Sequence, residues 1–237
     1  MRSKLPHIGT TIFTIMSKMA QEEGAINLSQ GFPGFGADPE LLEMVAKYTK
    51  AGYNQYAPMS GIPSLREKMA EKTLRCYGAK VNPETEVSIV SGATEAIFSS
   101  ITAMIHPGDE AIILEPAYDS YEPAILLSGG IPIRVPLNPS DFSVDWERVK
   151  NSITFKTKLI VINSPHNPSG YVWSQDDLDQ LAELVRERNI YVVSDEVYEH
   201  ITFDGRPHLS LVGHEELRQK SFVCGSFGKT FHVTGWK

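Results

Sequence analysis

Two runs, Leu159-Ile160-Val161-Ile162-Asn163 and Ile190-Tyr191-Val192-Val193-Ser194, constrain this chain more than any other feature. Both are almost wholly apolar and rich in β-branched residues, with no polar alternation. Strands of that kind are buried on both faces. Between them Ser174 is placed to cap a helix, with Asp176 and Asp177 in its first turn and an expected end near Arg188. The same alternation extends in both directions. Val87–Ser91 reads as a strand, followed by a helix from Thr94 to Ile105 that Pro107-Gly108 closes. Ala111–Leu114 reads as a strand followed by a helix around Ser120–Ser128, and Ile131–Val135 as a strand whose Pro132 suggests an edge. Ser221-Phe222-Val223-Cys224-Gly225 reads as a last buried strand. The expected fold class is α/β, a mostly parallel sheet covered by helices.

The first 60 residues differ. Gly24–Gly34 is rich in turn formers and Tyr53–Pro58 is an aromatic loop, so a segment distinct from the main sheet is expected there. At 237 residues the chain can hold one substantial domain with part of a second. A net charge of −7 argues against nucleic acid or an anionic membrane as the main partner. No apolar run approaches the roughly 20 residues of a membrane span. No signal-peptide h-region follows Met-Arg-Ser-Lys-Leu-Pro, and Cys76 and Cys224 lack metal-ligand spacing. A reduced, cytoplasmic setting is expected, with both cysteines as packing residues.

In parallel sheets ligands bind at the carboxyl ends of the strands, so the polar residues just after each strand carry the functional reading. Ser91-Gly92-Ala93-Thr94-Glu95 opens a helix with small residues, leaving amide N–H groups and the Thr94 hydroxyl able to hold an anion. Asn163-Ser164-Pro165-His166-Asn167-Pro168-Ser169-Gly170 is a rigid turn that can present the Asn167 amide at a set angle, with His166 a structural or solvated neighbour. Asp195 ends a buried run, where a carboxylate needs a cationic or hydrogen-bonding partner. Tyr198 follows three residues later, while Glu196, Glu199 and His200 have no forced placement and read as solvated. Finally, the small-residue turn Gly225–Gly228 delivers Lys229 to the mouth of the sheet, where an amine could attack a carbonyl. An imine-forming lysine, a carboxylate for a pyridinium, donors for a ring oxygen and a phosphate cradle make up the inventory of a pyridoxal phosphate (PLP) site.

The segments Ser91–Glu95, Asn167-Pro168-Ser169-Gly170, Asp195-Glu196-Val197-Tyr198 and Ser226-Phe227-Gly228-Lys229-Thr230-Phe231 together resemble the class I/II aminotransferases of PLP fold type I. Asn27–Pro33 and Asn54–Pro58 look like the kynurenine/glutamine transaminase branch, nearest its bacterial methionine-using members. The resemblance implies that Lys229 bonds to the cofactor aldehyde, Asp195 holds the pyridine nitrogen, and Tyr198 and Asn167 donate to the ring oxygen. It implies an aromatic on the cofactor face at Tyr118 and phosphate contacts from Ala93, Thr94, Ser226 and Lys237. It also implies a homodimer in which Tyr56 reaches the neighbouring phosphate, and a place for Gly31 and Asn167 near the substrate. Residues 1–40 are then an N-terminal arm belonging with a small domain, and 41–237 a PLP-binding large domain.

Where many relatives have arginine, Lys237 keeps the charge and loses the bidentate fork. The family continues well beyond Lys237, including its substrate-carboxylate arginine, so an incomplete chain is expected. The activity implied is transamination between an L-amino acid and a 2-oxo acid. Ile12, Phe13, Phe32 and Tyr118 suggest a large uncharged side chain such as methionine or an aromatic. The alternatives are a cysteine-S-conjugate β-lyase on the same residues and a non-catalytic PLP-binding fragment.

Overall fold

The computed structural model describes residues 3–31 and 33–236. Among them five strands, β1 (Glu110–Glu115), β2 (Ile131–Pro136), β3 (Thr157–Asn163), β4 (Tyr191–Asp195) and β5 (Ser221–Cys224), form one sheet in the order β2-β1-β3-β4-β5. Every neighbouring pair is parallel. Pro132 falls on β2 at one margin, where its missing N–H costs no ladder bond.

The helices are α1 (Ile12–Glu22), α2 (Pro39–Lys50), α3 (Pro63–Tyr77), α4 (Ala93–Met104), α5 (Tyr121–Leu127), α6 (Trp146–Asn151), α7 (Gln175–Arg186), α8 (Glu215–Arg218) and α9 (Phe227–Thr230). The central strands are apolar throughout because each face has its own cover. Ile112, Ile160, Ile162 and Val192 pack with Leu178, Leu181, Val185 and Leu217 on one side. Ile113, Leu159, Val161 and Val193 pack with Ile97, Ile101 and Ile125 of α4 and α5 on the other. Successive strand residues point to opposite faces, so an unbroken apolar run serves both layers. Each such side chain contributes about 1.5–3 kcal/mol on burial.

Local chemistry sets the helix starts. Ser174 caps α7 by accepting from the Asp177 amide, and the Asp177 carboxylate accepts from Ser174 N–H at 2.8 Å, a complete capping box. Asp177 also accepts from Trp146 Nε1 at 3.0 Å, which ties α6 to α7. At the start of α4, Gly92 has φ +87°, a conformation that favours glycine and turns the chain into the helix.

Two expectations change. Val87–Val90 is not a strand; Ile89 N–H donates to Ser60 O at 3.0 Å, and no ladder forms along it. A strand requires a neighbour along its length, and among the described residues neither sheet margin, β2 or β5, pairs with this segment. The β5 run is accordingly not buried: Phe222 and Val223 are each 38% exposed. In the N-terminal segment α1 and α2 contain no buried residue, and Ile12 stands 62% exposed. The segment is nonetheless tied to the main body: His232 Nε2 meets the Phe35 carbonyl at 2.6 Å with their rings 5.0 Å apart. Among the described residues no helix is long and apolar enough to cross a membrane.

Candidate active site

Strand register gathers the site. Asn163 on β3 pairs with Asp195 on β4, which pairs with Cys224 on β5, so the three strand ends lie level. The turns after them carry Asn167, Tyr198 and Lys229. Asn163 fastens two of these turns: its Nδ2 donates to the Asp195 carbonyl at 2.8 Å and its Oδ1 accepts from Asn167 N–H at 2.7 Å.

Asp195 is buried, with Oδ2 accepting from the Tyr121 hydroxyl at 2.6 Å and Oδ1 from Val197 N–H at 3.3 Å. Burial pushes its carboxyl above the usual range, against these two donors, which favour the charged form. The Lys229 charge reaches it only weakly. Among the described residues no cationic nitrogen lies within ion-pair distance of it. A buried carboxylate with only neutral donors is short of a positive partner.

Lys229 projects from α9 with its Nζ 5.4 Å from the centre of the Tyr198 ring. The residue is exposed, and among the described residues no carboxylate pairs with its amine. Tyr198 is half-buried; burial and then Asp195 raise its phenol, while the facing Asn167 amide opposes that shift. Tyr118 stands edge-on to Tyr121, ring centres 5.9 Å apart. Burial and Asp119 raise its phenol, against the Thr94 hydroxyl that faces it. Asp195, Tyr198, Lys229, Asn167, Tyr118 and Thr94 are thereby brought to one end of the sheet.

The same end has an anion-receptive corner. Among the described residues no backbone acceptor takes the Ala93 and Thr94 amides at the start of α4, and Gly92 makes no side-chain cap. Ser226, which begins α9, also leaves its hydroxyl uncommitted as a cap. Amides at a helix start hold phosphate well.

Other expectations fall elsewhere. Tyr56 is fully exposed, and Gly31 lies in an exposed loop with open space around its Cα. Lys237 and Phe32 lie outside the described residues. Glu196 and Glu199 are not solvated: Glu196 is 2% exposed and bonded to Ser194 and His208, and Glu199 is bonded to Lys72 and Tyr77. The turn after β4 folds them inward, Glu196 fully and Glu199 in large part, because each finds donors there. His200 is exposed, as expected. His166 is structural, with Nε2 donating to the Pro116 carbonyl at 2.9 Å and Nδ1 against Ser169 Oγ at 2.7 Å. Burial lowers its pKa, in keeping with that neutral tautomer. Burial raises the Cys224 thiol to about 12, an inert packing group. Tyr121 and Asn163 are the residues that sequence reasoning passed over. Their only signal was position, one a helical turn after Tyr118 and the other ending a buried strand.

The family model for aminotransferase class I and II matches residues 23–237. The chain belongs to that family. Escherichia coli methionine aminotransferase is 49% identical over 236 residues, covering 100% of this chain and 61% of the relative. A probable N-succinyldiaminopimelate aminotransferase of Mycobacterium tuberculosis is 39% identical, covering 99% of this chain and 60% of the relative. The crystal structure of Escherichia coli YbdL, assigned a methionine aminotransferase function, superposes with a TM-score of 0.96 at 48% identity, over 100% of this chain and 62% of that one. The chain thus spans about three fifths of the length of these relatives.

Class I and II aminotransferases use PLP, and the residues present fit it. A protonated pyridine nitrogen would supply a positive partner for Asp195. An unpaired lysine beside a tyrosine ring suits an aldehyde, and free amides at the α4 start suit a phosphate.

Proposed function

We propose that this chain binds PLP and serves transamination between an L-amino acid with a large uncharged side chain, such as methionine or an aromatic, and a 2-oxo acid. The observation that carries the reading is the buried, cation-deficient Asp195 at the same sheet end as the unpaired Lys229. Residues 41–237 form the cofactor-binding domain in this reading, and 1–40 an arm that goes with a smaller one.

When bound, PLP supplies an aldehyde for the lysine and a protonated ring that withdraws electrons from the substrate Cα. Lys229 would hold that aldehyde, and its free amine would be the group that takes the proton from the substrate Cα. Asp195 would keep the ring nitrogen protonated, with Tyr121 holding Asp195 in place. Tyr198 and Asn167 would donate to the ring oxygen, and Tyr118 would lie against the ring. Ala93, Thr94, Ser226 and Lys237 take the phosphate, while Gly31 lies near the substrate carboxylate. Tyr56, fully exposed in this chain, reaches a second copy's phosphate in a homodimer. The methionine-using relative supports the substrate class.

Titration of the chain with PLP tests this. A visible imine band that Lys229→Ala abolishes, trapped on Lys229 by borohydride, is the expected result. Methionine and a 2-oxo acid should then exchange an amino group. No Lys229-dependent band overturns the cofactor reading; pyruvate and a thiol from a cysteine conjugate would redirect it to β-elimination.

A further inference from the structure

Behind the cofactor turns lies a polar network that the chemistry above does not use. Glu199 accepts from Lys72 Nζ at 2.5 Å and from the Tyr77 hydroxyl, and both partners stand on α3, more than 120 residues earlier in the chain. The Lys72 and Glu199 side chains are 20% and 10% exposed. Glu196 Oε1 accepts from Ser194 Oγ at 2.8 Å and from Leu211 N–H at 3.1 Å, and its Oε2 meets His208 Nε2 at 2.8 Å. The His208 ring stands edge-on to Tyr77, centres 6.0 Å apart. One connected network thus joins α3, the turn after β4 and the 208–211 loop.

Two features aim this network at the site. Glu196 and Glu199 flank Tyr198, so their anchors fix the turn that presents it; Glu196 N–H also donates to the Cys224 carbonyl at 2.8 Å. In addition, Glu199 Oε1 lies 3.4 Å from where a Cβ on Gly225 would stand. The carboxylate therefore stands beside the turn that leads through Ser226 to Lys229, close enough that a side chain on Gly225 would touch it. Buried ion pairs rarely add stability over apolar packing of the same volume, and in some proteins they instead fix relative orientation. Burial alone would raise the Glu199 carboxyl; the Lys72 ammonium and the Tyr77 hydroxyl outweigh it and hold the group charged.

We propose that Glu199, held by Lys72 and Tyr77, is a positioning residue that sets the spacing between the Lys229 turn and the Asp195–Tyr198 turn. This rests on the PLP reading above. Lys229 has to reach an aldehyde on a ring whose nitrogen Asp195 grips, so a shift of either turn misplaces the amine.

The test measures PLP affinity and the pH midpoint of the Lys229-dependent imine band in the parent chain, Lys72→Met, Glu199→Gln, Lys72→Arg and Tyr77→Phe. Leu181→Ala, a core change on α7 remote from the network in sequence, serves as a stability control. Lys72→Met and Glu199→Gln should each weaken PLP binding about tenfold and move the midpoint. Lys72→Arg should recover most of the loss, and Leu181→Ala should keep the parental midpoint while folded. If Lys72→Met fails to fold, Tyr77→Phe, which removes one hydroxyl, should still weaken binding about threefold. Lys72→Met and Glu199→Gln within about twofold of the parent, or with midpoints no different from the Leu181→Ala control, overturn the proposal. A parent without a Lys229-dependent band is a different result: it removes the cofactor reading, and the proposal with it.

Discussion

Helices α7 and α1 have similar sequence credentials and opposite fates. Each is amphipathic, and each is capped by a hydroxyl that accepts an amide of the first turn: Ser174 from Asp177 N–H and Thr11 from Thr14 N–H. Of the 12 residues of α7, six are buried, whereas none of the 11 in α1 is. The difference lies in connectivity. Helix α7 links β3 to β4, and a parallel crossover forces it back onto the sheet. Helix α1 belongs to a segment without strands, so nothing in its own chain compels it to lie on an apolar surface. Amphipathic pattern shows that a face seeks cover, and topology decides where the cover is.

The sharpest way to break this contrast is to truncate one apolar residue on each helix. Leu181→Ala, at a fully buried position on α7, should cost about 2–5 kcal/mol in urea unfolding. Ile15→Ala on α1, 45% exposed, should change stability by no more than about 0.5 kcal/mol. An Ile15 effect approaching that of Leu181, growing with protein concentration, would mean that a second copy covers α1 in solution.

The same contrast explains what could be read in advance. Strands β1, β3 and β4 and helix α7 were legible because burial on two faces and a capping box leave plain marks in composition. The Val87–Val90 segment misled because strand propensity describes a residue's fit to a sheet and says nothing of whether a neighbour exists. Asp195, Asn167 and Lys229 stood out as candidates because each lies at or just after the carboxyl end of a strand, where parallel sheets bind ligands. Glu196 and Glu199 were not. Their burial depends on Lys72, Tyr77 and His208, which lie far away in sequence, and no local pattern reports such partners.

A second pair of variants tests whether similar caps differ in value between core and arm. Asp177 accepts from Ser174, Trp146 and Tyr171, so Asp177→Ala should cost about 2–3 kcal/mol by leaving buried donors unmet. Asp38 on α2 accepts only from the Glu40 and Leu41 amides in an exposed setting, and Asp38→Ala should cost about 0.5–1 kcal/mol. Equal losses would place the arm inside the cooperative unit. Asp195 is as buried as Asp177 but accepts from two donors alone, the Tyr121 hydroxyl and Val197 N–H. Asp195→Asn should leave stability within about 1 kcal/mol of the parent while weakening PLP binding tenfold or more, read from the same absorbance titration.

The smallest predicted effect concerns pH and separates a buried ion pair from an exposed one. Glu199 has its carboxyl held below the ordinary value of 4.5, so its contribution to stability is fully present above that pH. The contribution is lost as pH falls through the depressed folded value. Asp195 works in the opposite sense: its folded value is raised above 3.8, so acid relieves a buried charge. A raw acid-stability curve therefore mixes the two. The difference between the parent and Lys72→Met isolates Glu199, because Asp195 is common to both. That difference should be largest near neutral pH and shrink below about pH 4.5, as Glu199 takes up a proton and the pair ceases to exist. In the arm, Lys18 and Glu22 are 3.6 Å apart but 74% and 61% exposed, and solvent screens them. Lys18→Met should therefore show no such narrowing, and a pH-dependent difference there would mean that α1 is covered after all.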